Sequence, residues 1–157
     1  MRGTMMGVVV AIVAVSLGAC GRELSQADED AGAAVSTALD SRGGTVSLGR
    51  VTLEIPGGAL DGPTTITIRQ LDHPVRAAVG PVYEFGPDGL TFRRPARLTV
   101  SYDGLEMPPG TDPGSLRLSV LDRDRWVALP DQQSDSEALR ASASIEHFSI
   151  YGLVPEP

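Results

Sequence analysis

Cysteine is nearly missing from this chain of 157 residues: Cys20 is the only one. A lone cysteine closes no internal disulfide, so packing and hydrogen bonds must hold the fold. Lysine is missing altogether, and all 13 basic residues are arginine. A phosphate-cradling loop built around Gly-Lys is therefore excluded. We read the arginine bias as the codon usage of a GC-rich genome rather than as function. Positive charge is scarce as well: 20 acidic residues against 13 basic ones give a net charge of −7. Removing the residues before Cys20 takes away Arg2 and no acid, which leaves 20 acidic against 12 basic residues, a net −8. Nucleic-acid binders displace counterions from phosphate with clustered positive charge. Nucleic acid and anionic headgroups are accordingly not expected as partners. Aromatic residues make up only 4% of the chain, so the core must rest on Val, Leu, Ile and Ala. With 41% hydrophobic and 21% charged residues, the composition is still that of a globular domain.

An apolar run long enough to cross a membrane as a helix is also missing. Val8 to Leu17 is apolar, but a span needs about 20 such residues. Arg2 precedes the run, and Leu17-Gly18-Ala19-Cys20 ends it. A positive start, an apolar stretch and small residues at the end make a secretory signal. The last four residues resemble the lipobox of bacterial lipoprotein signal peptides. That resemblance implies a signal peptide over 1–19, cleaved between Ala19 and Cys20. It also implies diacylglyceryl transfer to the Cys20 thiol and acylation of the new amino terminus with a palmitate-type chain. Two or more acyl chains hold a protein on a bilayer stably, at about 0.8 kcal/mol per buried CH₂. The expected location is the cell envelope, with the membrane as a partner through the lipid on Cys20. Gly21 stands where many inner-membrane lipoproteins of Gram-negative bacteria carry Asp, so in such a source the outer membrane is favoured. The competing readings of the segment are an ordinary secretory signal with an incidental cysteine and an uncleaved anchor.

Residues 20–42 are polar, acidic and rich in alanine. They read as the lipidated cysteine followed by a flexible spacer. The alternative is a short helix started by Ser25 and Asp28 and continued by Ala33, Ala34, Val35, Ala38 and Leu39.

After Gly43-Gly44 the pattern changes to short runs of period two. Val51, Leu53 and Ile55 alternate with Thr52 and Glu54, and Ile66 and Ile68 with Thr65 and Thr67. Leu98, Val100 and Tyr102 alternate with Thr99 and Ser101, and Leu116, Leu118 and Val120 with Arg117 and Ser119. Such alternation buries one face of a strand and wets the other. Turn formers separate the runs: Pro56-Gly57-Gly58, Gly62-Pro63, Gly86-Pro87-Asp88-Gly89, Pro108-Pro109-Gly110 and Asp112-Pro113-Gly114. The expected fold is all-β, an antiparallel β-sandwich or barrel over 43–154, with 155–157 as a tail. Phe85, Leu90 and Phe92 are expected between the sheets, and Trp126 over one end of the core. Arg93-Arg94 reads as a solvated strand edge that discourages aggregation.

These same residues resemble a known family. Gly43 to Val46, Val51 to Leu60 with its Ile-Pro-Gly-Gly-Ala, and Thr65 to Ile68 look like the opening of a ZU-five domain. That is the β-sandwich shared by ankyrins, netrin receptors and zonula occludens proteins. The resemblance runs on through Pro81 to Phe92 (PVYEFGPDGLTF), the strand from Pro95 to Tyr102, Trp126 to Leu129, and His147 to Leu153. It implies a protein-interaction or structural module, with an envelope protein as the expected partner, rather than an enzyme.

One triplet within the resemblance carries candidate chemistry. Some ZU-five proteins cleave themselves between Phe and Ser of a His-Phe-Ser triplet, matched here by His147, Phe148 and Ser149. By that resemblance, Ser149 would attack the Phe148 carbonyl with His147 as base, and water would hydrolyse the ester. A serine needs such a base to act as nucleophile. The competing reading is a closing strand with His147 and Ser149 on one face and Phe148 in the core. Another reading is a glycan-binding module, which requires Trp126 or Tyr83 on an open concave face. No other catalytic residue, cofactor or metal is expected: His73 lies in an Asp-His-Pro loop, and Asp122, Asp124, Asp131 and Asp135 lack a recognised calcium-loop spacing.

Overall fold

A computed structural model describes residues 32–71 and 75–156. The described chain is built of strands and one 3₁₀ turn, Pro113–Ser115. The strands are β1 (Ala34–Leu39), β2 (Gly44–Leu48), β3 (Val51–Ile55), β4 (Thr64–Leu71), β5 (Val79–Gly86) and β6 (Thr91–Ser101). They continue with β7 (Leu116–Asp122), β8 (Arg125–Ala128), β9 (Gln133–Asp135), β10 (Arg140–His147) and β11 (Ile150–Pro155). They form two antiparallel sheets, one in the order β1-β4-β5-β11-β7-β8 and the other in the order β2-β3-β6-β10-β9. The protein is an all-β antiparallel sandwich.

The alternating runs do what their period requires. Val51, Leu53 and Ile55 face inward from β3, as do Ile66 and Ile68 from β4, Leu98 and Val100 from β6, and Leu116 and Leu118 from β7. Tyr102 follows β6 and is buried with them, whereas Val120 is half-buried against the core. Across the five-stranded sheet large residues meet small ones. Ala141 of β10 lies opposite Val100, and Ala143 opposite Leu98. On the other side of β6, Leu98 meets Leu53. Alanine on β10 keeps that stretch of the layer shallow enough for the opposing sheet to fill the space.

Six of the seven aromatic residues are buried in this core: Tyr83, Phe85, Phe92, Tyr102, Phe148 and Tyr151. Phe85 and Phe92 lie between the sheets as expected, with Leu90 partly buried against them. Phe148 stands between two rings, tilted on Phe85 at 5.8 Å and edge-on to Phe92 at 5.0 Å. Tyr151 completes the cluster, edge-on to Phe85 at 5.6 Å. Offset and edge-to-face pairs of this kind add to the area they bury.

Four expectations need correction. Residues 34–39, read as spacer or helix, form strand β1, paired over its whole length with Leu39↔Thr64 to Ala34↔Arg69 of β4. Val35 and Leu39 pack on the core from it, which outweighs the helix propensity of its alanines. The carboxyl end is also tied down further than expected: Pro155 closes β11, and the Glu156 N–H donates to the Ser115 carbonyl at 2.9 Å. Arg93-Arg94 does not mark a sheet edge, because β6 lies inside its sheet between β3 and β10. The two arginines instead brace the loop after β3: Arg94 donates to the Gly57 carbonyl at 3.0 Å, and Arg93 pairs with Asp61. Pro95, which cannot donate to a ladder, sits where the pairing of β6 with β10 shifts register between Ile145 and His147. Trp126 does not cap the end of the core. It lies on the outer face of the six-stranded sheet, and a Cβ at Gly152 would stand 3.1 Å from its Cη2 and 3.2 Å from Val82 Cγ2. Its ring nitrogen donates to the Arg76 carbonyl at 2.7 Å.

Gly43 holds the turn between β1 and β2 at φ +76°, where any Cβ would strike the backbone of Ile55 and Pro56. Only glycine fits that approach.

Truncating the ring at the centre of the aromatic cluster is the sharpest test of this core. Phe148→Ala is expected to cost about 3–5 kcal/mol, read as a fall in the urea midpoint with an unchanged slope.

Candidate functional site

Ala19, Cys20 and the other residues read as a signal peptide lie outside the described residues, as does His73. The first strand begins at Ala34. Among the described residues no helix is long and apolar enough to cross a membrane.

The His-Phe-Ser triplet occupies a crossing between layers rather than a strand interior. His147 ends β10 in the five-stranded sheet, and Ile150 opens β11 in the six-stranded one. Phe148 and Ser149 carry the chain between them. The Phe148 N–H donates to the Leu90 carbonyl at 2.9 Å, and the Ser149 carbonyl accepts from the Phe85 N–H at 3.0 Å. The Tyr151 hydroxyl donates to the His147 carbonyl at 2.6 Å. His147 is exposed, Phe148 is buried and Ser149 is half-buried. Among the described hydrogen bonds none joins the His147 ring to the Ser149 hydroxyl. The geometry fixes the backbone on both sides of the Phe148–Ser149 bond, and the exposed imidazole lies at the surface beside it.

Two tyrosine hydroxyls are buried, that of Tyr151 at this crossing and that of Tyr83 beside Gly49, with different fates. Burial pushes the Tyr151 hydroxyl well above the usual tyrosine range, and it is satisfied by the His147 carbonyl. Burial also raises that of Tyr83, opposed by the Arg50 backbone and charge. The Tyr83 hydroxyl faces that backbone without a hydrogen bond of normal geometry and has no other partner among the described residues. Tyr83 is therefore closed to a sugar. Trp126 is half-buried with its N–H already used, and no second aromatic lies open beside it.

The acidic candidates lie at the ends of β7 and β9 and in the turns beside them. Asp135 accepts from the Glu137 and Ala138 N–H groups at 3.1 and 2.8 Å and lies 3.6 Å from Arg140, which together hold its carboxyl below the usual range. Asp122, Asp124 and Asp131 are exposed. No group of three or more His, Cys, Asp or Glu that could hold a metal occurs among the described residues.

Concave features also line the surface of the described residues. A polar cleft of about 640 Å³ lies on the outer face of the five-stranded sheet, around Arg97, Gln133, Asp135 and Ser142. Arg97 fills part of it by donating to Gln133 Oε1 and Ser142 Oγ, both at 2.6 Å. A larger and more apolar groove of about 710 Å³ crosses the outer face of the six-stranded sheet. Its lining includes Ala34, Ser36, Thr67, Gly86, Pro87 and Ile150, together with the Arg69–Glu84 ion pair. The sequence signal for this groove was a scatter of small residues on outward-facing positions of three separate strands.

No protein-family model matches this chain, and no curated protein is similar to it.

The contrast between the two tyrosines is measurable. Tyr151→Phe is expected to lose about 1 kcal/mol, whereas Tyr83→Phe stays within about 0.5 kcal/mol because it removes an unpaired hydroxyl. Both hydroxyls have folded pKa values above their unfolded value of about 10. The neutral form is the one the fold keeps, so stability is full below pH 10 and falls as pH rises beyond it. Urea titrations from pH 8 to 11 should show this limb, and Tyr151→Phe should flatten it.

Proposed function

We propose that the protein is an acylated envelope lipoprotein, anchored through Cys20, whose ZU-five-like sandwich serves as a non-enzymatic protein-interaction or structural module. The observation that carries the reading is the placement of the sole cysteine, directly after Leu17-Gly18-Ala19 at the end of the apolar run. Between Cys20 and Ala34 lies enough chain to hold the sandwich clear of a bilayer, since an extended chain spans about 3.3–3.6 Å per residue. The interior of the sandwich is packed with apolar side chains. Binding would fall to the outer faces and edges of the sheets. The net negative charge favours neutral or basic partner surfaces over acidic ones.

The anchor is tested by mass spectrometry of protein from its native envelope. The expected amino-terminal peptide begins at Cys20 and carries acyl chains on both the sulfur and the amine. Cys20→Ala should leave the chain uncleaved and unacylated. An unmodified thiol in wild-type material would sink the reading.

The same spectra test the enzymatic alternative. An intact mass running to Pro157 is expected. A break between Phe148 and Ser149 that Ser149→Ala abolishes would replace the passive module with a self-processing one.

A further inference from the structure

The edges of the two sheets are not protected alike. β8 has four residues including Arg125, and β9 has three including Asp135. Short, charged edges of this kind resist pairing with another chain. β2 and β1 carry no charge, and β1, with six residues, is the longest of the four. β1 also runs along the 710 Å³ groove, with Ala34 and Ser36 in its lining.

The direction of its free hydrogen-bonding groups follows from one contact. The Gln70 N–H donates to the Ala33 carbonyl at 2.8 Å, so residue 33 faces β4. In an antiparallel ladder this orientation alternates. Val35, Thr37 and Leu39 therefore spend their N–H and C=O groups on β4. Those of Ala34, Ser36 and Ala38 point to the edge that no described strand covers. The same three side chains lie on the outer face, beside the groove. The lining also includes Thr67 and Gly86, where a Cβ on residue 86 would collide with Thr67 Oγ1.

We propose that β1 takes an extended segment of a partner protein as an added strand, with alternate side chains of that segment entering the groove. Main-chain bonds to the open edge would supply affinity, and the groove would select small or branched side chains. Asp88 rims the groove and has no cationic partner among the described ion pairs, so a Lys or Arg in the segment is favoured at that end. Charge also speaks against a second copy as the occupant, because each chain carries −7. The inference deepens the reading of the domain as an interaction module and rests on it.

The test uses the full chain purified in detergent and the synthetic peptide KTVTVTVK, with a version N-methylated at alternate amides as control. Amide hydrogen exchange is followed residue by residue. The peptide should slow exchange at Ala34, Ser36 and Ala38 by about tenfold or more, and the methylated control should not. Ser36→Pro removes one free-edge N–H and no bond to β4, so it should keep the melting temperature and abolish the protection. Ser36→Lys, which keeps every backbone donor, serves should the proline variant unfold, and should also abolish it. Absence of protection, or equal protection in these variants, overturns the proposal. So does protection that appears without peptide and grows with protein concentration, which would mark pairing between copies. An envelope protein retained by the full chain while these three amides stay unprotected would refute the edge and leave the module reading standing. Loss of both would remove both.

Discussion

Phe148 has to leave one sheet, enter the other and stay dry on the way. Its ring is held between Phe85 of the six-stranded sheet and Phe92 of the five-stranded sheet. Its N–H is satisfied by Leu90, and the next carbonyl by Phe85. A backbone passing between layers normally exposes polar groups where water is excluded. Here the Phe148 N–H and the Ser149 carbonyl each find a partner from a neighbouring strand or turn. The crossing sets the register of β11 between β5 and β7, and with it the positions of Tyr151 and Leu153 in the core. The sandwich closes around this point.

That same crossing ties the core to the outer surface. Ile150, the first residue of β11, lies opposite Glu84 and faces outward into the groove. Arg69 lies opposite Glu84 from the other side, and Ala34 opposite Arg69. One row of residues thus runs across four strands, from the aromatic crossing to the open edge. A shift of one residue in β11 would turn Ile150 inward and Tyr151 outward. The shape of the groove therefore depends on the packing of rings on the opposite face.

Much of the fold was legible in the residues. Val51 to Ile55, Thr65 to Ile68, Leu98 to Tyr102 and Leu116 to Val120 declared themselves by strict alternation, and all are at the heart of the sheets. Two strands did not. β10 reads Arg-Ala-Ser-Ala-Ser-Ile-Glu-His, and Ala against Ser gives little hydrophobic contrast and weak strand propensity. β1 reads Ala-Val-Ser-Thr-Ala-Leu after an acidic stretch, and its alanines suit a helix as well as a strand. Each becomes a strand because a neighbour offers a ladder and a face to bury. The candidate groove was not legible for a related reason. Its lining draws on β1, β4 and β5, and only their register brings Ser36, Thr67 and Gly86 side by side.

Local chemistry speaks for itself along a chain: where hydrophobic period is two, where prolines and glycines break it, and where a single thiol follows an apolar run. Those features determined an all-β domain, its principal strands and most of its core, because burial of alternate side chains is encoded within a few consecutive residues. Tertiary structure alone decided that Trp126 rests on an outer face, that Arg93 and Arg94 brace a loop, and that Ala34, Ser36 and Ala38 lie on an edge that no described strand covers. Each of these depends on which strand lies alongside, and strand neighbours are chosen by the fit of distant residues in a shared core.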